Sequence, residues 1–273
     1  MGYRRQHKSR WYQGKPLKTI ERAIVSLWHK YPHRNLFVVG LPKSGTSWLN
    51  RMVSEVPGYQ KWTPPYITWT DHTLQSETLQ QPPVGYTVTK LHCKPTPAHV
   101  QLFNSVKRPY VIIHRDLRDV AASWYFFAHN VSTDAHADPV KSMSKEEALH
   151  YWADNRLPDY ITWVNGWADG RDPQYGMMIR YEDLLADAQG MMRRVFDHYE
   201  VGLRDEQVRR IVEKHAFKTA TGREAGQEDS KAFNRKGVAG DWENHFTPEL
   251  KAKFKEVAGE TLERFGYVTD DEW

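Results

Sequence analysis

A single cysteine in 273 residues leaves no partner for an intramolecular disulfide, so Cys93 is a thiol and the chain suits a reducing compartment. Long hydrophobic runs are missing too. Nothing approaches the ~18 consecutive apolar residues of a membrane-spanning helix. The N-terminus, MGYRRQHKSRWYQGK, is basic like the start of a signal peptide, but no apolar core follows it. Gln6 stands where a myristoylation motif starting at Gly2 wants Ser or Thr. Low-complexity linkers, internal repeats and abrupt shifts of charge are absent, so residues 1–273 read as one domain with a basic tail at 1–16. The formal charge of +4 suits an anionic ligand and is too small to argue for nucleic acid. His, Cys, Asp and Glu nowhere cluster at metal-ligand spacing, and no metal is expected. Together these absences predict a soluble, cytoplasmic protein without a transmembrane segment.

What is present begins with bulk. Eleven tryptophans, fourteen tyrosines and ten phenylalanines supply a large core despite a mean hydropathy of −0.74. The stretch LFVVGLPKSGTSWLNRMVSEV from Leu36 carries the most information. An apolar strand breaks at Gly40, passes through a short turn and restarts with helical periodicity. Free backbone N–H groups and the dipole of a helix N-terminus favour an anion there. Lys43 adds a charge, while Thr46 and Ser47 add hydroxyls. Gly40 and Gly45 have the spacing of the nucleotide triphosphatase loop, but Thr46 occupies the place of its lysine. The lysine has moved inside the loop.

Three further strands are predicted: GYTVTKLH at 85–92, PYVIIH at 109–114 and one in GMMIRYEDLL. Residues 57–83 read as an irregular, partly helical segment over a cleft. Helices are expected after each strand, one of them capped by Ser144 with Glu147 three residues on. LKTIERAIVSLWHKY, with Leu17, Ile20, Ile24, Leu27 and Trp28 at helical spacing, reads as a helix packed on the domain in preference to one lying on a membrane surface. Alternating strands and helices predict an α/β fold: a central, mainly parallel sheet flanked by helices in three layers, of the P-loop NTPase-like kind. Ligands of such sheets bind beyond the carboxyl ends of the strands.

Lys90 and His92 lie two apart at one such end, so they share a face from which Leu91 points away. Imidazole beside ammonium offers a general base and an electrostatic clamp. Arg115 ends the next strand, where a guanidinium could fork onto a phosphate, and Ser123 lies two turns into the helix that follows. On the plainer alternative Asp116 and Asp119 only cap the helix while the arginines are solvated, and both readings can hold together. Far downstream, Arg235 and Lys236 precede Gly237, a second loop suited to an anion. Two separate anion-binding elements suggest a ligand with phosphate at both ends.

PKSGTSW, the Lys-x-His strand, HRDLRDVAASWYFF and RKGVAGDWENHFT, in that order, resemble the cytosolic sulfotransferases over about residues 35–268. The resemblance implies 3′-phosphoadenosine-5′-phosphosulfate (PAPS) as co-substrate, 3′-phosphoadenosine-5′-phosphate (PAP) as product, and no metal. It assigns Lys43, Ser44, Gly45, Thr46 and Ser47 to the 5′-phosphosulfate end. Trp48 would stack on adenine and Tyr181 approach it. Arg115, Ser123, Arg235, Lys236 and Gly237 would hold the 3′-phosphate. His92 would be the catalytic base, with Lys90 beside it and Lys43 on the leaving phosphate. Trp62, Pro65, Tyr66, Trp69 and Phe127 are candidate walls for a small-molecule acceptor, and Asp71, His72 and His129 candidate polar contacts to it. Phenol, alcohol, lipid, polyketide and amine acceptors all remain open.

Two stretches depart from the family. His215 and Ala216 replace a threonine-serine pair near its adenine site. The C-terminal dimer motif is unmatched at Glu243, Thr247, Pro248 and Ala252, so no oligomeric state carries over. The competing readings are a P-loop kinase or triphosphatase, which lacks its lysine at 46, and a nucleic-acid-binding module, which gives His92 and Lys90 no role.

Overall fold

The computed structural model describes residues 27–64, 67, 73–80, 85–130 and 138–269, together with residue 24. The basic tail at 1–16 lies outside them. Five strands form one sheet in the order β2-β3-β1-β4-β5. They are β1 Asn35–Gly40, β2 Tyr59–Trp62, β3 Tyr86–Leu91, β4 Tyr110–His114 and β5 Gly176–Arg180. Every pairing is parallel. β1, at the centre, is buried along its whole length, as a strand covered on both faces must be.

Helices cover both faces. On one, α1 Thr46–Val53, α8 Ala188–His198 and α9 Asp205–His215 pack Leu49, Met52, Phe196 and Ile211 against Leu36, Val38, Val88 and Ile113. On the other, α2 Pro97–Val106, α3 Leu117–Asn130, α5 Lys145–Asn155, α6 Leu157–Gly170 and α11 Pro248–Arg264 cover Phe37, Val39, Leu91 and Ile112. Short helices α4 Asp138–Lys141, α7 Tyr181–Ala186 and α10 Phe217–Thr221 and the 3-10 turns Ser76–Leu79 and Asp241–Asn244 link these elements. Trp152 of α5 and Phe254 of α11 stack with ring centroids 6.0 Å apart and planes within 4°. Burying each such ring contributes about 1.5–3 kcal/mol. The capping box at Ser144 forms as the sequence suggests: Glu147 N–H donates to its hydroxyl at 3.2 Å and Glu147 Oε2 accepts from its N–H at 2.8 Å.

Three expectations need correction. The segment 57–83 hides a fifth strand, β2, whose four residues are too few to show a period. Ile24, Leu27 and Trp28 do not pack on the domain; they are exposed, Trp28 by 81%. Arg115 and Arg118 are buried rather than solvated, because Asp119 and Asp116 neutralise them within the fold.

Strand order fixes where a ligand can sit. The chain leaves β1 between neighbours on either side, so the β1–α1 loop opens into a crevice bordered by the carboxyl ends of β3 and β4.

Candidate active site

Residues 41–45 curl tightly between β1 and α1. Lys43 and Gly45 both have left-handed backbone, at φ 68° and 76°, on either side of Ser44. A lysine in that region costs on the order of 1–3 kcal/mol, strain typical of a loop shaped by its ligand. The Ser44 hydroxyl is buried and has no hydrogen-bond partner. Thr46 Oγ1 donates to the Leu41 carbonyl at 3.3 Å. A Cβ on Gly45 would stand 2.6 Å from the Tyr181 ring, so left-handed backbone and close packing both demand glycine. Gly45→Ala is expected to cost about 2–4 kcal/mol in urea unfolding, through strain and overpacking together.

β3 supplies the next pair. Leu91 is fully buried among the apolar side chains beneath α2 and α6, while Lys90 and His92 face the loop. Lys90 Nζ donates to Ser47 Oγ at 3.3 Å. Its ammonium is pushed below its ordinary range by burial, then by Arg51 and Lys61. His92 Nδ1 lies 2.6 Å from the Gly40 carbonyl. A carbonyl only accepts, so Nδ1 carries the hydrogen and Nε2 is the basic nitrogen of the neutral ring. One residue on, the Cys93 carbonyl accepts from the indoles of Trp163 and Trp167, at 2.9 and 3.2 Å. The Cys93 thiol is buried and pushed up by desolvation.

The cations converge from three parts of the chain. Arg115, at the end of β4, lies over the Tyr181 ring at 4.4 Å and donates to Asp119 at 3.1 Å and to the Val238 carbonyl at 2.9 Å. Its Nε has no partner. Arg235 packs over Phe126 at 4.3 Å. Both Arg235 and Lys236 donate to Asp241, a buried carboxylate that also meets Asn244 and His245. Burial raises the affinity of Asp241 for a proton, but Lys236 and Arg235 overcome this and hold it well below the carboxylate range. Gly237 has φ 68°, and a Cβ there would stand 2.4 Å from Phe217. Lys43 Nζ sits 4.0 Å from the Phe127 centroid and 5.1 Å from that of Phe233. Burial, then Arg115, then Arg235, push this ammonium down to about 7. Lys43 is thus buried beside two carboxylate-paired guanidiniums, with the Ser44 hydroxyl and Arg115 Nε left without hydrogen-bond partners.

The Sulfotransferase domain model matches residues 33–266. The chain belongs to the sulfotransferase family. Among curated relatives, mouse sulfotransferase 2A2 is 25% identical over 93% of this chain and 95% of its own. Sulfotransferase 6B1 of Danio rerio is 26% identical over 82% of this chain and 76% of its own. The solved structure of mouse sulfotransferase SULT7A1 complexed with PAP superposes with a TM-score of 0.64 at 21% identity, covering 89% of this chain and 90% of that one. These likenesses agree with the three-layer P-loop-like fold described above.

This sulfotransferase brings Lys43, Arg115 and Arg235 together, with Lys90 and His92 on the adjoining strand. Ser123 lies half-buried on α3. Trp48 is fixed by a hydrogen bond from its Nε1 to the His215 carbonyl, 2.9 Å, and meets Tyr181 edge to face at 6.2 Å. The departure at His215 is thus bridged through backbone, while its imidazole pairs with Glu55 at 3.0 Å. Phe127, expected as an acceptor wall, lies against Lys43. Trp62 ends β2, half-buried. Pro65, Tyr66, Trp69, Asp71 and His72 lie outside the described residues. His129 lies tilted against Tyr125, with ring centroids 4.9 Å apart and planes at 42°. Sequence reasoning missed Asp119 and Asp241 as anchors, and it missed Arg223, whose guanidinium gathers the carbonyls of Gln227, Asn234 and Arg235. Only the acidic spacing after Arg115 and Gly240 hinted at the first two. Among the described residues no group of three or more His, Cys, Asp or Glu could hold a metal. No described helix is long and apolar enough to cross a membrane.

Proposed function

We propose that this sulfotransferase transfers the sulfuryl group of PAPS in line to a hydroxyl, or an amine, of a small-molecule acceptor in the cytoplasm, releasing PAP. The observation that carries the donor assignment is the convergence of Lys43, Arg115 and Arg235 on one water-poor pocket. Asp119 balances Arg115, Asp241 and Glu228 balance Arg235, and Lys43 faces two aromatic rings, so an anion here would meet the Lys43 charge and the guanidinium hydrogens that these carboxylates leave unused. The orphaned Ser44 hydroxyl and Arg115 Nε are two further groups that phosphate oxygens would satisfy. PAP in the solved mouse relative has the matching pair of phosphates.

The residues divide the work. Lys43, Ser44, Gly45, Thr46 and Ser47 hold the phosphosulfate end, through backbone N–H groups at the start of α1 and through side chains. Trp48 and Tyr181 flank the adenine. Arg115, Ser123, Arg235, Lys236 and Gly237 hold the 3′-phosphate. His92 Nε2 removes the acceptor's proton as the acceptor oxygen attacks sulfur. The bond from sulfur to the bridging oxygen breaks, and charge grows on the leaving phosphate, where Lys43 stabilises it or supplies a proton. A lysine near pKa 7 is suited to that donation at neutral pH. Lys90, anchored to Ser47, steadies the oxygens in transit. Trp62, Tyr66, Trp69 and Phe127 are proposed to border the acceptor.

The test is a thermal-shift titration with adenosine 3′,5′-bisphosphate, followed by labelled PAPS against an acceptor panel. At a hundredfold excess over Kd, the nucleotide should stabilise by about 2.7 kcal/mol, raising Tm by roughly 5–10 °C. ATP with Mg²⁺ should leave Tm unchanged. No shift with the bisphosphate in folded protein would overturn the donor assignment.

A further inference from the structure

Asp119 sits in the first turn of α3, 1% exposed. Its Oδ2 accepts from Arg115 Nη2 at 3.1 Å and from the Gly240 N–H at 2.8 Å, while Oδ1 accepts from the Trp242 N–H at 3.0 Å. Arg115 closes the ring by donating to the Val238 carbonyl at 2.9 Å. One carboxylate therefore ties the β4 end to a loop more than 120 residues further along the chain. Without that tie, the arginine and the loop would have to be ordered separately by the ligand, at a cost in conformational entropy.

Charge and geometry make opposite demands on this residue. A buried carboxylate beside a phosphate pocket repels the phosphate, so by Coulomb's law its removal should tighten binding. Its hydrogen bonds, by contrast, hold in place the groups that bind, and charge-assisted bonds from a buried guanidinium and two amides are hard to replace. We propose that Asp119 is a positioning residue for donor recognition, making Arg115 and the Val238–Trp242 segment act as one pocket for the nucleotide's 3′-phosphate. This rests on the donor assignment above.

The experiment is calorimetry of wild type and Asp119→Asn with two nucleotides, adenosine 3′,5′-bisphosphate and adenosine 5′-phosphate. The amide keeps the shape but opposes an NH₂ to a donor. In the variant, affinity for the bisphosphate should fall roughly 10–100-fold, while affinity for the 5′-phosphate stays within about threefold. In turnover, KM for the donor should rise and kcat stay within about threefold. Tighter bisphosphate binding, or an unchanged ratio between the nucleotides, overturns the role of Asp119 alone. A wild type that does not distinguish the nucleotides overturns the donor assignment and this proposal with it. Hydrogen exchange in the wild type needs no variant. The Gly240 and Trp242 amides should slow about tenfold or more with the bisphosphate and not with the 5′-phosphate. Unaltered protection of those two amides also overturns the proposal.

Discussion

Replacing His92 by alanine should lower turnover by about 10²–10⁴-fold, the usual contribution of a positioned general base. Affinity for adenosine 3′,5′-bisphosphate should change by less than about threefold, because the proposed role sets the imidazole against the acceptor and not the nucleotide. The geometry makes this separation sharp. The Gly40 carbonyl holds Nδ1–H at 2.6 Å, fixing both the tautomer and the ring plane. Gly40 belongs to β1 and leads into the 41–45 loop, so the His92 ring and that loop share one rigid origin. Steady-state kinetics at saturating acceptor, paired with calorimetry, check both halves. Turnover close to wild type in His92→Ala would remove the residue from its role.

The second large effect belongs to Lys43. Lys43→Met keeps much of the length and loses the charge, and kcat/KM should fall about 10²–10³-fold, as when one stabilising donor is removed from a developing anion. A pH signature accompanies it. In the free protein the ammonium titrates near 7 through burial and the neighbouring Arg115 and Arg235. A bound phosphosulfate or bisphosphate favours the charged form, so binding takes up a proton above that pH. Affinity should weaken as pH rises past about 7, by up to tenfold per unit, and Lys43→Met should flatten the slope. Stability of the free protein runs the other way. The folded pKa lies below the ordinary 10.5, so between about 7 and 10.5 the unfolded chain binds more protons and stability rises with pH. Thermal melts across that window should rise with pH in the free protein and lose that rise at saturating nucleotide, where the bound ammonium stays charged.

Much of this site was legible because its chemistry is compressed into short segments. Strand, turn and helix within Leu36–Val53 announce an anion site on their own, and Lys90 and His92 share a face by the alternation of a strand. Arg115 was legible for a similar reason, since β4 is an unbroken apolar run that visibly stops there. β2 was not, because four residues at a sheet edge carry too little pattern. The anchors were hidden for another reason. Asp119 reads as a local cap and nothing in the sequence singles out Asp241, yet Asp119 works through bonds to amides over a hundred residues away, and no periodicity encodes such a partner. Asp241 shows the opposite effect: the basic pair before Gly237 suggests free charges, whereas folding turns both side chains onto one carboxylate. The family resemblance supplied nucleotide and roles that spacing alone left open.

The twin indole bonds to the Cys93 carbonyl reach further than core packing. Trp163 and Trp167 reach up from α6, on the sheet face away from α1, and act as a mechanical stop one residue beyond His92. Both indoles are buried, Trp167 completely, so trimming either to alanine should cost about 3–5 kcal/mol of stability as well as loosening the backbone beside His92. Interior substitutions in this protein are therefore to be judged by catalysis as well as by stability.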